Sequence, residues 1–253
     1  MLLSTTSVLN WRSVVLLSKV AASFPQLARQ GKAIRANTVR LPLPQDKPQG
    51  SFGNGGQPFK MLAFGESTVA GMGISSYADT LGGVFAQYFA AQNADLQVHW
   101  LSIGKNGMTV AEAISYFQEQ IPPARFDLLL IGLGANDIFK FTPVWQWRKH
   151  VRTLLQVVSR HSSRIIWATL PPVGCFPIFN TPDKRLLRQL FDRQRLLLES
   201  AIHQEEQCSP VPFVYPKVAF DLSADMFVSD GVHPSVKGYR LWVSAMMNYM
   251  TTL

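Results

Sequence analysis

Two cysteines in the whole chain leave it no disulfide framework. Cys175 and Cys208 belong to no CxxC pair and have no histidine at metal-ligand spacing, which excludes a zinc ribbon or a dithiol redox centre. Nothing in their spacing requires them to pair. No apolar run approaches the ~18 residues of a membrane-spanning helix. No Gly-rich loop is followed by Lys-Ser or Lys-Thr, so a phosphate-cradling nucleotide site is absent. The five histidines share no ligand spacing, and neither a metal nor a cofactor is expected. Charged residues are few, 16% against 47% hydrophobic, which excludes a disordered chain and suits a domain with a sizeable core.

Acidic side chains are nearly missing from the N-terminal part. Residues 1–60 hold eight of the 24 Lys and Arg but only one of the 16 acids, Asp46. The net charge of +8 therefore belongs to an N-terminal arm, and the remainder is close to neutral. Nucleic-acid binding calls for basic residues spread over a folded face, so no nucleic-acid partner is expected.

Residues 1–40 form this arm. A secretory signal has a basic start and an unbroken apolar middle, whereas Arg12 and Lys19 interrupt the apolar part here. At helical spacing Val8, Trp11, Val15 and Ala22 fall along one side, and Arg12 and Lys19 along another. That pattern fits an amphipathic helix on a membrane surface, with Arg29, Lys32, Arg35 and Arg40 meeting anionic headgroups. It fits equally a helix packed on the protein's own domain; an unusual export signal is a third reading. Peripheral membrane contact through residues 1–40 and a cytoplasmic or membrane-peripheral location are the expectations. Residues 41–59, rich in Pro and Gly, read as a linker to a domain spanning 60–253.

In that domain strand-like and helix-like segments alternate. Strands are expected over 61–64, 98–103, 126–131, 164–170 and 212–215. Helices are expected over 77–91, 109–120, 143–160, 184–207 and 235–250. Thr109 followed by Glu112 is a capping-box pattern. The apolar run 126–131 suits a strand buried on both faces. Such alternation implies parallel strands with right-handed crossovers. The expected architecture is a flavodoxin-like three-layer α/β sandwich: a central parallel sheet of about five strands with helices on both faces. Sites in such sheets form outside the carboxyl ends of the strands.

Four short segments sit at those ends: Gly65-Glu66-Ser67, Gly104-Lys105-Asn106-Gly107, Gly134-Ala135-Asn136-Asp137 and Asp230-Gly231-Val232-His233-Pro234. Each alone fits a turn or cap. Together, in this order, they resemble the blocks of the SGNH (GDSL-type) hydrolase superfamily. Ser67 matches the serine, Gly104 the glycine, Asn136 the asparagine and His233 the histidine of a D-x-x-H block. Leu170-Pro171-Pro172-Val173-Gly174 is similar to a further family segment. The resemblance runs from about Met61 to Tyr249. One position departs from it: Glu66 stands where members usually carry Asp, and a structural role in holding the loop is expected for it.

The resemblance implies a bacterial-type serine esterase that cleaves carboxylic esters of small molecules through an acyl-serine intermediate. The chemistry agrees. A serine hydroxyl needs a neighbouring base, and histidine has the pKa for that work near neutrality. His233 lies three residues after Asp230, close enough for the carboxylate to fix its tautomer. The other histidines, His99, His150, His161 and His203, have no carboxylate in a matching turn. Ser67, Asp230 and His233 are thus the candidate catalytic residues. The Ser67 N–H, the Gly104 N–H and the Asn136 side chain are the candidate oxyanion donors. Asp137 reads as structural, capping the helix that follows. Phe139, Phe141, Trp145 and Trp147 form an aromatic cluster that either packs or lines an acyl pocket. Phe139, Trp145 and Phe176 are the candidate substrate-wall residues, and they tilt the expected substrate toward aliphatic acyl esters. An acyltransferase or carbohydrate acetylesterase with the same site, and a non-catalytic membrane-associated binding module, are the other readings.

Overall fold

The computed structural model describes residues 23–34, 41–219 and 221–250. Along the chain the helices are α1 (residues 23–34), α2 (Ser67–Ala70), α3 (Leu81–Gln92), α4 (Val110–Gln120), α5 (Ala135–Phe139), α6 (Val144–Val158), α7 (Arg185–Cys208) and α8 (Val236–Met250). The strands are β1 (Gln49–Phe52), β2 (Gln57–Gly65), β3 (Leu96–Gly104), β4 (Leu128–Gly132) and β5 (Ile165–Trp167). They form one sheet in the order β1-β3-β2-β4-β5. β3, β2, β4 and β5 run parallel, and β1 lies antiparallel on the β3 edge.

Side-chain alternation divides the core into two layers. Leu62 and Phe64 of β2 and Leu129 and Ile131 of β4 face α4, α6 and α7. Met61 and Ala63 of β2 and Leu128 and Leu130 of β4 face α3 and α8. This is the expected three-layer sandwich. The capping box of α4 is present: Thr109 Oγ1 accepts from the Glu112 N–H, and Glu112 Oε2 accepts from the Thr109 N–H at 2.7 Å. Such a cap stabilises a helix by about 1 kcal/mol.

Two expectations need correction. Residues 41–59, expected as a linker, contribute the edge strand β1 and the start of β2. Asp46 in the same stretch accepts hydrogen bonds from Ser76 Oγ and the Tyr77 N–H, and Pro48 O accepts from the Ser102 N–H. The reason is burial: Phe52 stacks on Trp100 with centroids 6.3 Å apart, covering an otherwise open edge. The strand expected over 212–215 is reduced to one bridge, Ile166 with Val214. Pro210, Pro212 and Pro216 lack the N–H donors a longer ladder needs.

Of the arm, α1 rests on the domain. Leu27 and Ile34, seven residues apart, pack against the core, and Gln30 Nε2 donates to Asp183 O at 2.6 Å. The amphipathic stretch expected before it lies outside the described residues. Among the described residues no helix is long and apolar enough to cross a membrane.

Candidate active site

The first loop is built by a strand that must turn at once into a helix. β2 ends at Gly65, Glu66 is extended (φ −88°, ψ −152°), and Ser67 opens α2. The Glu66 N–H donates to Gly132 O at 2.9 Å, tying the end of β2 to that of β4. Ser67 is largely buried.

Gly104 ends β3 beside Gly65. A Cβ there would stand 2.4 Å from Ala70 N, so the missing side chain lets α2 sit down on the strand end. N–H direction alternates along a strand. Ser102 N–H bonds Pro48 O on the β1 side, and Lys105 N–H bonds Gly65 O on the β2 side. The Gly104 N–H therefore faces the β1 side, away from the end of β2. The ladder thus lends no support to the oxyanion role expected for Gly104, and the contact the structure gives this glycine is the close approach of Ala70.

Asp230 and His233 share the loop before α8. His233 Nδ1 lies 2.6 Å from Asp230 Oδ2, while Asp230 Oδ1 accepts from the N–H groups of Val232 (2.8 Å) and His233 (3.0 Å). Gly231 has φ +65°, a left-handed conformation that glycine adopts without strain and that folds the loop back on itself. Burial works to raise the Asp230 pKa, but the His233 ring and the two backbone N–H groups overcome it and hold the carboxyl below its ordinary value. With Nδ1 engaged, Nε2 is the ring nitrogen left for other partners.

Asn136 belongs to the first turn of α5, whose N-cap is Gly134 and has no side chain to offer. The Glu66 carboxylate crosses from the neighbouring loop to do that work. Oε1 accepts from the Ala135 N–H at 3.0 Å, and Oε2 accepts from the Asn136 N–H at 3.1 Å and from Asn136 Nδ2. Asn136 Nδ2 also donates to Met108 O at 3.3 Å. Burial pushes the Glu66 pKa up to about 7 against these donors, with Asp137 adding repulsion. The structural part expected for Glu66 is thus seen directly. Asp137 is structural in a different way from that expected. Its Oδ2 accepts from the Val110 N–H of the preceding helix α4 at 3.0 Å, and Oδ1 from Thr142 Oγ1 at 2.9 Å. Burial raises its pKa to about 6.

Ser67, Asn136 and His233 line one pocket of about 160 Å³. No hydrogen bond joins the Ser67 hydroxyl to His233 among the described residues, a separation common before substrate binds. Most of the wall is apolar and includes Phe139, Phe176, Leu222, Met226, Phe227 and Trp242. Phe176 touches both Phe139 (centroids 6.5 Å) and Phe227 (5.1 Å). Trp145, expected in this wall, is 67% exposed and lies elsewhere. Helix phase explains it: α6 buries Trp147, Val151, Leu154, Leu155 and Val158, and Trp145 is about 200° around the axis from Trp147. Trp147 packs on Trp167 and Phe141 on Phe191, so these two rings serve packing. One further expectation changes. His203 does have a carboxylate near it, Glu206 at 3.4 Å, but both lie on α7, away from the pocket. Cys175 and Cys208 are free, exposed thiols.

Several lining residues escaped the sequence reading: Thr68, Asn106, Leu222, Met226, Phe227 and Trp242. The apolar residues shortly before Asp230 were the available signal for three of them.

Residues 63–241 match the model of the GDSL-like lipase/acylhydrolase family. Nothing among curated proteins matches the sequence. Among solved structures the fold is similar to an aryl esterase of M. smegmatis (20% identity, TM-score 0.55, covering 77% of this chain and 99% of that one). It is similar also to a carbohydrate acetylesterase of Sinorhizobium meliloti (16%, TM-score 0.55, 77% and 99%) and to an acetyl xylan esterase of Geobacillus stearothermophilus (18%, TM-score 0.53, 78% and 96%). At these identities the likeness is one of fold.

Proposed function

The chain belongs to the GDSL-like lipase/acylhydrolase family and is a carboxylic ester hydrolase, and we propose that it cleaves small aliphatic acyl esters through an acyl-Ser67 intermediate. The observation that carries this reading is a single apolar pocket lined by a serine, by a histidine already bonded to a buried carboxylate, and by an asparagine amide.

In the proposed reaction Ser67 Oγ attacks the ester carbonyl carbon while its proton passes to Nε2 of His233. Asp230 holds the tautomer that leaves Nε2 free and stabilises the imidazolium that forms. The carbonyl oxygen becomes an oxyanion, met by the Ser67 N–H at the start of α2 and by the Asn136 amide. Collapse expels the alcohol, which takes the proton from His233. Water, deprotonated by the same ring, then releases the acid and restores Ser67. The phenylalanines and leucine of the wall favour an aliphatic acyl group over a sugar, whose hydroxyls would need more polar partners than such a wall offers.

The test is hydrolysis of a short p-nitrophenyl ester by the wild type and by Ser67→Ala. Activity in the variant should fall to the uncatalysed background with the fold intact. Retained turnover rules the acyl-serine route out.

A further inference from the structure

Glu66 is fully buried, ionisable and adjacent to Ser67, yet the reaction above gives it no proton to carry. Its carboxylate faces Asp137 on α5 and, through space, Tyr239 on α8, and among the described residues it forms no ion pair with a cation. A buried carboxylate without a counter-charge is costly, so its place calls for a reason.

That reason lies in how the Asn136 amide is held. Nδ2 carries two hydrogens. One goes to Glu66 Oε2, a carboxylate acceptor; the other makes a long 3.3 Å contact with the neutral Met108 O. Above about pH 7, where Glu66 is ionised, its bond to Nδ2 is of the stronger, charge-assisted kind. The two ends of the amide are therefore held unequally: one hydrogen is anchored and the other can be exchanged. Glu66 also fixes the Ala135 and Asn136 N–H groups, and its own N–H is tied to Gly132 O. The same residue that begins the Ser67 turn thus sets the position and rotation of Asn136.

We propose that Glu66 is a positioning residue, which anchors one hydrogen of the Asn136 amide so that the other leaves Met108 O and meets the oxyanion. This rests on the donor role given to Asn136 above. Because the bound ester carries no oxyanion and the charge develops only on the way to the tetrahedral intermediate, the effect falls on kcat and leaves KM nearly untouched. Glutamine at this position keeps the shape but offers a single acceptor oxygen, and its NH₂ would face an N–H.

A double-mutant cycle at pH 8, where Glu66 is ionised, tests it, read as kcat and KM on a short p-nitrophenyl ester, with thermal unfolding confirming that each variant folds. Asn136→Ala should lower kcat by roughly 10²–10³, the usual loss for one oxyanion donor. Glu66→Gln should lower it by about 10–100-fold at KM within about threefold, since the donor is misaimed but present. The double variant should sit within about threefold of Asn136→Ala alone, because Glu66 acts through a group already removed. A residue that merely holds the fold gives losses that multiply, and multiplied losses overturn the proposal, as does unchanged kcat in Glu66→Gln. Wild-type kcat in Asn136→Ala overturns the donor role itself, which is a different failure. Should Glu66→Gln not fold, Glu66→Asp, which keeps the charge but shortens the reach, runs through the same cycle with the same criterion.

Discussion

Asp230 Oδ2 stands 2.6 Å from Nδ1 of His233 while its other oxygen gathers two backbone N–H groups of the same loop. One carboxylate thus builds the loop and orients the ring. Asp230→Asn removes the charge and places an amide opposite Nδ1, favouring the wrong tautomer. The expected result is a fall in kcat of roughly 10³–10⁴ with little change in KM. Steady-state kinetics on a p-nitrophenyl ester measure it, and a loss under tenfold contradicts the role given to Asp230.

The apolar wall makes a second prediction. Phe176 bridges Phe139 and Phe227 along the pocket, so Phe176→Ala opens its far side. Over a series of p-nitrophenyl esters of increasing acyl length, the preferred chain should lengthen and kcat/KM for the shortest ester should drop by about tenfold. Each buried methylene is worth about 0.8 kcal/mol, which sets that scale. Trp145→Ala, at an exposed ring outside the pocket, should leave the profile within about twofold of wild type.

What was legible in the sequence was local. Asp230 and His233 lie three residues apart in one loop, and Thr109 and Glu112 close one helix turn, so spacing alone brings these pairs together. The apolar runs 61–64 of β2 and 128–131 of β4 are likewise self-evident, because a stretch buried on both faces has no polar positions to disguise it. What was hidden depends on partners far along the chain. Gln49–Phe52 becomes a strand only because the edge of β3 and the ring of Trp100 await it. The direction of the Gly104 N–H depends on the parity of a ladder, which glycine spacing does not disclose. Trp145 was misplaced by helix phase. Leu222 and Met226 reach the pocket from the chain shortly before Asp230 and Trp242 reaches it from α8, a juxtaposition that only the assembled sheet creates.

Buried carboxyls make a prediction about stability against pH. The Glu66 pKa is raised in the folded protein from 4.5 to about 7. Between these values the folded state keeps a proton that the unfolded chain has lost, so its contribution to stability declines as pH rises from about 4.5 to about 7. Asp137, raised to about 6, acts in the same sense. Asp230, held below its ordinary value, acts oppositely: its stabilisation is present above the unfolded pKa and is lost as acid takes the pH down through the depressed one. Comparing wild type with Glu66→Gln isolates the first effect. Urea unfolding at pH 5 and pH 8 should show the wild type losing stability relative to the variant, by at most roughly 3 kcal/mol at ~1.4 kcal/mol per pK unit. A difference between the two proteins that does not change with pH contradicts it.

The account stands on Ser67 as the atom that becomes acylated, and covalent capture reads that atom directly. Wild-type protein treated with a fluorophosphonate and digested should carry one adduct, mapped by peptide mass spectrometry to Ser67, and Ser67→Ala should carry none. An adduct on any other residue, or a Ser67→Ala protein labelled as fast as wild type, contradicts the assignment.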